Sequence, residues 1–148
     1  MSPPEIWGPP VWRLFHTMAA QLTDEKLVDQ MMGNIQNVCS HLPCPDCSAH
    51  ATDFWKNSAR VKTKQDAINI LHHFHNNVNK RKGKKQYDTK EMEVYEKANL
   101  LQVFNDFVGI YHTKGNMKFL TESFHRKRVI YQLRGFISNN ITNFCRKY

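Results

Sequence analysis

Apolar residues recur along most of this chain at i, i+3, i+4 and i+7, the spacing of one helix face. The pattern predicts a first helix from Pro10 to about Leu22, with Val11, Leu14, Phe15, Met18 and Ala19 as its inward stripe. Pro9-Pro10 places a proline in its first turn, where a missing N–H costs least. Thr23 reads as the N-cap of a second helix, about Asp24 to His41, with Asp24 and Glu25 in its acidic first turn. Leu27, Val28, Met31, Met32, Ile35 and Val38 would face its core. A third helix includes Ser48 to Lys56. Thr63, with Asp66 three residues on, resembles a capping box for a fourth that ends near Asn79 and turns Ala67, Ile70, Leu71, Phe74 and Val78 inward. Two further helical stretches, Lys90 to His112 and Lys118 to Phe144, are parted by Lys114-Gly115-Asn116. Leu100, Leu101, Phe104, Phe107 and Val108 form the packing face of the first stretch. Phe119, Phe124, Val129, Ile130, Leu133, Phe136, Ile137 and Ile141 form that of the second. Gly and Pro are scarce, and the expected fold is all-helical.

At 148 residues, 41% of them apolar, the chain suits one domain with a real core rather than two. Its formal net charge of +8 favours acidic or phosphate-bearing partners without naming one. No apolar run approaches the length that spans a bilayer, and the opening Met-Ser-Pro-Pro-Glu-Ile-Trp has no features of a secretory leader. The expected compartment is therefore reducing cytoplasm. The four cysteines, Cys39, Cys44, Cys47 and Cys145, are too few for a disulfide scaffold. Cys39 reads as a core residue, and Cys145 as an idle thiol near a flexible C-terminus.

The candidate chemistry lies in Cys44-Pro45-Asp46-Cys47. Pro43 before the pair and the helical run after it put both thiols at a helix N-terminus, where backbone N–H groups and the helix dipole stabilise a thiolate. Alone, C-x-x-C serves equally well as half a zinc site or an inert disulfide. On the fourth helix His72, His75, Asn76 and Asn79 are spaced i, i+3, i+4 and i+7, which gathers two imidazoles and two amides on one stripe. Such uncharged donors and acceptors suit a neutral heteroaromatic ring and a ribose, and the cations of Lys80 to Lys85 suit a diphosphate. Two alternatives stand beside this: a zinc module using Cys44, Cys47, His72 and His75, and a basic nucleic-acid-binding protein centred on Lys80 to Lys85. The zinc reading leaves Trp7, Trp12, His16, Asn76 and Asn79 without a role. The basic run lacks interleaved aromatics for base stacking, so nucleic acid is not the expected partner.

Taken in order, four groups of residues resemble the Erv/ALR family of FAD-dependent sulfhydryl oxidases. They are Trp7-Gly8-Pro9 with Trp12 and His16; Pro43 to Cys47 with His50; His75-Asn76-Asn77-Val78-Asn79; and Lys84 with Tyr87-Asp88. The resemblance covers about Ile6 to Asp88. It implies a four-helix bundle plus a short fifth helix in residues 1–89, usually homodimeric, with residues 90–148 as a helical extension packed on the core or in a dimer interface. It implies FAD held by Trp12, His16, Cys47, His50, His75, Asn76, Val78, Asn79, Lys84 and Tyr87. Cys47 would lie beside the flavin, and Cys44 would exchange with protein dithiols or with a thioredoxin-like or small CxxC relay protein. Molecular oxygen would be the final acceptor, giving H₂O₂. The sequence departs from many members at Thr89, where a structural cysteine is absent, and at Ile70, which replaces a tryptophan. The aromatic expected near Glu96 to pack on adenine is displaced to Tyr95. A compact chain of this kind looks most like the oxidases of large cytoplasmic DNA viruses, which act in the host cytoplasm and its viral factories and are possible virion components.

Overall fold

A computed structural model describes residues 4–88, 90, 92–112 and 120–148; Thr89, the 114–116 break and Phe119 lie outside them. Seven helices follow in chain order among the described residues: α1 Pro4–Gln21, α2 Val28–Ser40, α3 Pro45–Lys56, α4 Lys64–Arg81, α5 Met92–Lys97, α6 Leu100–Tyr111 and α7 Leu120–Asn139. The expected all-helical architecture holds. Helix α1 starts six residues earlier than its pattern suggests and carries Pro9 and Pro10 inside it. Proline already has a helical φ, so these two remove only the bonds to the carbonyls one turn back. Burial of Trp7 anchors that first turn.

Three other boundaries move for identifiable reasons. The second helix opens with a 3₁₀ turn, Glu25–Leu27, capped by Asp24 rather than Thr23; the Asp24 carboxylate accepts from the Lys26 N–H at 3.0 Å. The Thr23 hydroxyl is engaged elsewhere, donating to the Asn143 carbonyl at 3.0 Å. The stretch expected as one helix from Lys90 to His112 is two, because the Asn99 side chain caps α6 by accepting from the Gln102 N–H at 3.2 Å. The last helix stops at Asn139, followed by a 3₁₀ turn, Ile141–Asn143.

Helix α1 forms the centre. It packs against α4, α5 and α6, while α2 packs against α3 and α7. One continuous apolar cluster joins Leu14, Phe15 and Met18 of α1 to Ile35, Leu71, Phe107 and Leu133, so residues on both sides of position 90 share a core. The stripe of α7 buries Val129, Ile130, Leu133, Phe136 and Ile137 as expected, and that of α6 buries Leu100, Phe104 and Phe107, but the edges of both differ. Val103 and Tyr111 are inside while Leu101 is 55% exposed, and Arg126 occupies an inward position while Phe124 is 74% exposed. Ile141 is also exposed.

The segment after α7 is not loose. Leu22 and Phe144 form an antiparallel bridge, and the Cys145 N–H donates to the Gln21 carbonyl at 2.8 Å. Across the core, the buried Tyr111 hydroxyl donates to the Val38 carbonyl at 3.2 Å, tying α6 to the end of α2. Burial holds that phenol protonated, well above its usual range. Tyr111→Phe should therefore cost about 1 kcal/mol, the net worth of one internal hydrogen bond. Urea denaturation with an unchanged midpoint would show that this link carries no stability.

Candidate functional site

Cys44 is the N-cap of α3. Its backbone is extended (φ −130°, ψ 111°), and its Sγ accepts from the Cys47 N–H at 3.3 Å. Pro45 fills the first helical position, where an N–H would have no partner. The Ser48 hydroxyl, accepting from the Leu42 N–H at 2.8 Å, pins the approach loop to the same turn. The helix terminus thus serves the Cys44 sulfur, which holds the capping bond and the positive end of the dipole. Cys47 is different. Burial first, then Cys44 beside it, push its thiol up to about 11 against the opposing pull of Lys82 and Arg81. The expectation that the helix end keeps Cys47 ionised is therefore corrected: one turn in, its sulfur receives burial rather than caps.

Cys47 opens onto a cavity of about 350 Å³ walled by α1, α3 and α4. Its apolar lining includes Trp7, Val11, Phe15, Leu42, Ala51 and Phe74. Its charged lining is all basic among the described residues: Arg13, Arg81, Lys82 and Lys84. The Lys82 ammonium sits over the Trp7 ring, 5.9 Å from its centroid. Trp7 keeps its buried indole N–H without an acceptor, a donor available to a ligand.

Helix α4 ends in a way that turns the chain back over this cavity. The Gly83 N–H donates to the Lys80 carbonyl at 3.2 Å and the Lys84 N–H to the Asn79 carbonyl at 2.8 Å, the paired bonds of a Schellman cap. Gly83 takes φ +69°, a left-handed conformation that suits glycine. Asn76 then accepts from the Tyr87 N–H at 2.6 Å and holds the returning segment against α4.

The result is a set of nearly parallel rings. Trp12 stacks on His75 with centroids 4.0 Å apart at 7°. Tyr87 lies on His16 at 4.8 Å and on His75 at 4.6 Å. His16 Nε2 and His75 Nδ1 are hydrogen-bonded at 2.9 Å, one ring donating and the other accepting. Burial first, then neighbouring histidines, depresses His16 to about 3 and His75 to about 4. Both imidazoles are therefore neutral at pH 7 and offer polar atoms without charge. A base with a depressed folded pKa binds fewer protons folded than unfolded. Stability is thus complete above the ordinary 6.5 and is lost as pH falls towards 4 and 3.

Of the residues singled out from sequence, Trp12, Cys47, His50, His75, Val78, Asn79 and Lys84 line the cavity. His16, Asn76 and Tyr87 stand behind that lining and orient it through the contacts above. Cys44 sits at the helix cap. His50 also bonds Asn77 Oδ1 at 2.9 Å. Sequence reasoning did not assign Arg13, Arg81, Lys82 and Cys39 to the lining, whereas Tyr95, the displaced aromatic expected to pack on adenine, does line it. The Lys80 to Lys85 run was a signal for two of them; Arg13 and Cys39 carried none. No three His, Cys, Asp or Glu side chains among the described residues are placed to hold a metal ion. His72 bonds Asn76 at 3.1 Å and His75 bonds His16, so the zinc alternative has no ligand geometry.

A capped dithiol beside a cavity with stacked rings, neutral imidazoles and a cationic rim defines a small helical redox protein with a site for a ring-bearing, anionic cofactor. The sequence model of the Erv1/Alr family matches residues 9–99, and the chain belongs to that family. It is 33% identical over 111 residues to the FAD-linked sulfhydryl oxidases of African swine fever virus from a pig and a tick isolate, covering 70% of this chain and 93% of each relative. A protein of Invertebrate iridescent virus 3, named as an oxidase of the same kind, is 32% identical over 93 residues, 59% of this chain and 63% of its own. No solved structure matches.

In a Cys44→Ser protein stripped of cofactor, alkylation of Cys47 by iodoacetamide should accelerate with an inflection above 9.0, the ordinary thiol value, and Lys82→Gln should move it higher. An inflection near or below about 7, the range of activated cysteines, would show that Cys47 is stabilised as a thiolate after all.

Proposed function

We infer that this protein is an FAD-linked sulfhydryl oxidase that converts protein dithiols to disulfides with O₂ as acceptor. The observation that carries this reading is that Cys47, the sulfur one turn inside α3, lines the same cavity as the stacked rings and the cationic rim. The residues present fit FAD. Trp12 and His75 offer flat faces, His50 and Asn79 offer polar atoms to the ring system, and the unpartnered Trp7 N–H offers a donor. Arg81, Lys82 and Lys84 suit the diphosphate. His16, Asn76, Val78 and Tyr87 complete the set that would hold the group.

The thiol chemistry then follows from placement. A substrate thiolate attacks Sγ of Cys44 in the oxidised pair, and the Cys47 sulfur leaves as a thiolate. Cys44 is the sulfur at the helix cap and does not line the cavity, whereas Cys47 does. The second substrate thiol displaces Cys44 and releases an oxidised substrate; two electrons and two protons now reside on Cys44 and Cys47. Arg81 and Lys82 lower the cost of charge on Cys47 against the burial that opposes it. Bound FAD supplies the two-electron acceptor for the reduced pair and the outlet to O₂ as H₂O₂.

The finer reading is also ours. Residues 1–89 constitute the oxidase core, braced by residues 90–148, and the active species is a homodimer. Its substrates are protein dithiols, reached directly or through a thioredoxin-like or small CxxC relay. Because its relatives are viral, its place is the host cytoplasm and viral factory, with the virion as a second site. Among the described residues no helix is long and apolar enough to cross a membrane.

Purified protein should be yellow, with a flavin absorption band, and should consume O₂ with dithiothreitol. Cys44→Ser and Cys47→Ser should each cut turnover by on the order of 10³-fold or more, the double variant no further, because the pair acts as a unit. FAD should remain bound in both. A turning-over Cys47→Ser enzyme, or a colourless protein carrying stoichiometric zinc, would sink the assignment.

A further inference from the structure

Helix α5 has six residues, Met92–Lys97, too few to be stable alone. The carbonyls of its last three residues, Tyr95, Glu96 and Lys97, accept from distant parts of the chain, as does that of Ala98 just past its end. Gln21, buried at the end of α1, donates from Nε2 to the Tyr95 carbonyl at 2.9 Å and the Ala98 carbonyl at 2.6 Å. The Lys147 N–H donates to the Glu96 carbonyl at 2.9 Å, and Arg146 Nε to the Lys97 carbonyl at 2.6 Å. The Lys147 ammonium pairs with the Glu96 carboxylate at 3.3 Å. Gln21 is in turn held by the 145 segment, since its own carbonyl accepts the Cys145 N–H.

What α5 carries inward is Tyr95. This ring lines the cavity and sits 4.9 Å from His16 and 6.2 Å from Tyr87, centroid to centroid. Residues 145–147 lie beyond the part of the chain matched by the family model, which ends at 99, yet they grip the backbone just after this wall and the Gln21 that also holds it.

We propose that residues 145–147 act as a strap that positions Tyr95 as a wall of the cofactor cavity, making FAD retention depend on a segment remote from the dithiol. Arg146 and Lys147 are positioning residues; neither lines the cavity. The strap works through backbone acceptors, so the Lys147 N–H matters more than its ammonium, which is solvent-exposed and screened. This inference rests on the FAD reading above.

The test compares holoenzymes. Arg146→Ala/Lys147→Pro removes the guanidinium donor and the backbone N–H; Lys147→Ala keeps that N–H and loses only the ion pair. Tyr95→Ala is the reference for a lost wall. FAD release on dilution, read as recovered flavin fluorescence, should be at least about tenfold faster in the double variant and in Tyr95→Ala, and within about twofold of the parent in Lys147→Ala, since one hydrogen-bond set near 1.4 kcal/mol is a factor of ten. Turnover with dithiothreitol at saturating FAD should match the parent in the double variant, as should the rate at which Cys44 reacts with an aromatic disulfide. Added FAD should therefore rescue activity, which a general loss of folding would not allow. Double-variant release at the parental rate, with Tyr95→Ala fast, overturns the strap. Equal acceleration in Lys147→Ala overturns the assignment to the N–H. A parent that binds no flavin overturns the functional reading, and the inference falls with it.

Discussion

From Leu14 to Gln21 every residue of α1 is buried, so this helix has no solvent face over two turns. A helix wrapped on all sides calls for internal partners for its polar groups; two of the three buried polar side chains here find one, and the Thr17 hydroxyl has none among the described residues. His16 finds His75, and that bond joins α1 to α4 beside the dithiol cavity. Gln21 finds the end of α5. The same requirement that stabilises the core therefore settles where the ring stack forms and where the short helix docks. Neutral imidazoles are part of this solution, because a charged histidine at the centre would need a counter-ion that the described neighbours do not supply.

The two sulfurs of the dithiol have unlike surroundings, although two residues separate them. Cys44 has the capping bond and the helix dipole; Cys47 has burial and two cations. Such asymmetry suits a pair whose members exchange with different partners, one outside and one inside. The cationic edge does double duty in this arrangement: Lys82 opposes the desolvation of Cys47 and also covers Trp7.

Much of this was legible in the residues. Thr63 caps α4 as its spacing indicates, accepting from the Asp66 N–H at 3.0 Å, and the stripes of α1, α2 and α4 bury most of the expected side chains, with Leu27, Ile70 and Val78 only partly buried. The cavity lining was legible where it lies on α3 and α4, whose i, i+3 and i+4 spacings bring Cys47 with His50, and His75 with Val78 and Asn79, onto common faces. What escaped depends on long-range partners. Thr23 looks like a cap but is taken by Asn143, and Asn99 splits a helix whose apolar period continues across it. Arg126 holds an inward position that periodicity would assign to an apolar residue, and Phe124 is left outside, while Val129 to Ile137 keep the expected face of α7. The lining by Cys39 and Arg13 follows from how α1 and α2 meet α3, and local patterns do not encode that meeting.

The junction of Thr23 with Asn143 closes a loop across 120 positions of separation, on a scale like that spanned by the packing of α2 on α7. By chain statistics such a closure costs on the order of 4 kcal/mol before any contact is gained, so it belongs late in folding. During synthesis α1 through α4 emerge first, and the residues that fasten α5 emerge only after α7. The dithiol turn at the start of α3 can therefore assemble in the nascent chain before the segment that fastens α5 has emerged.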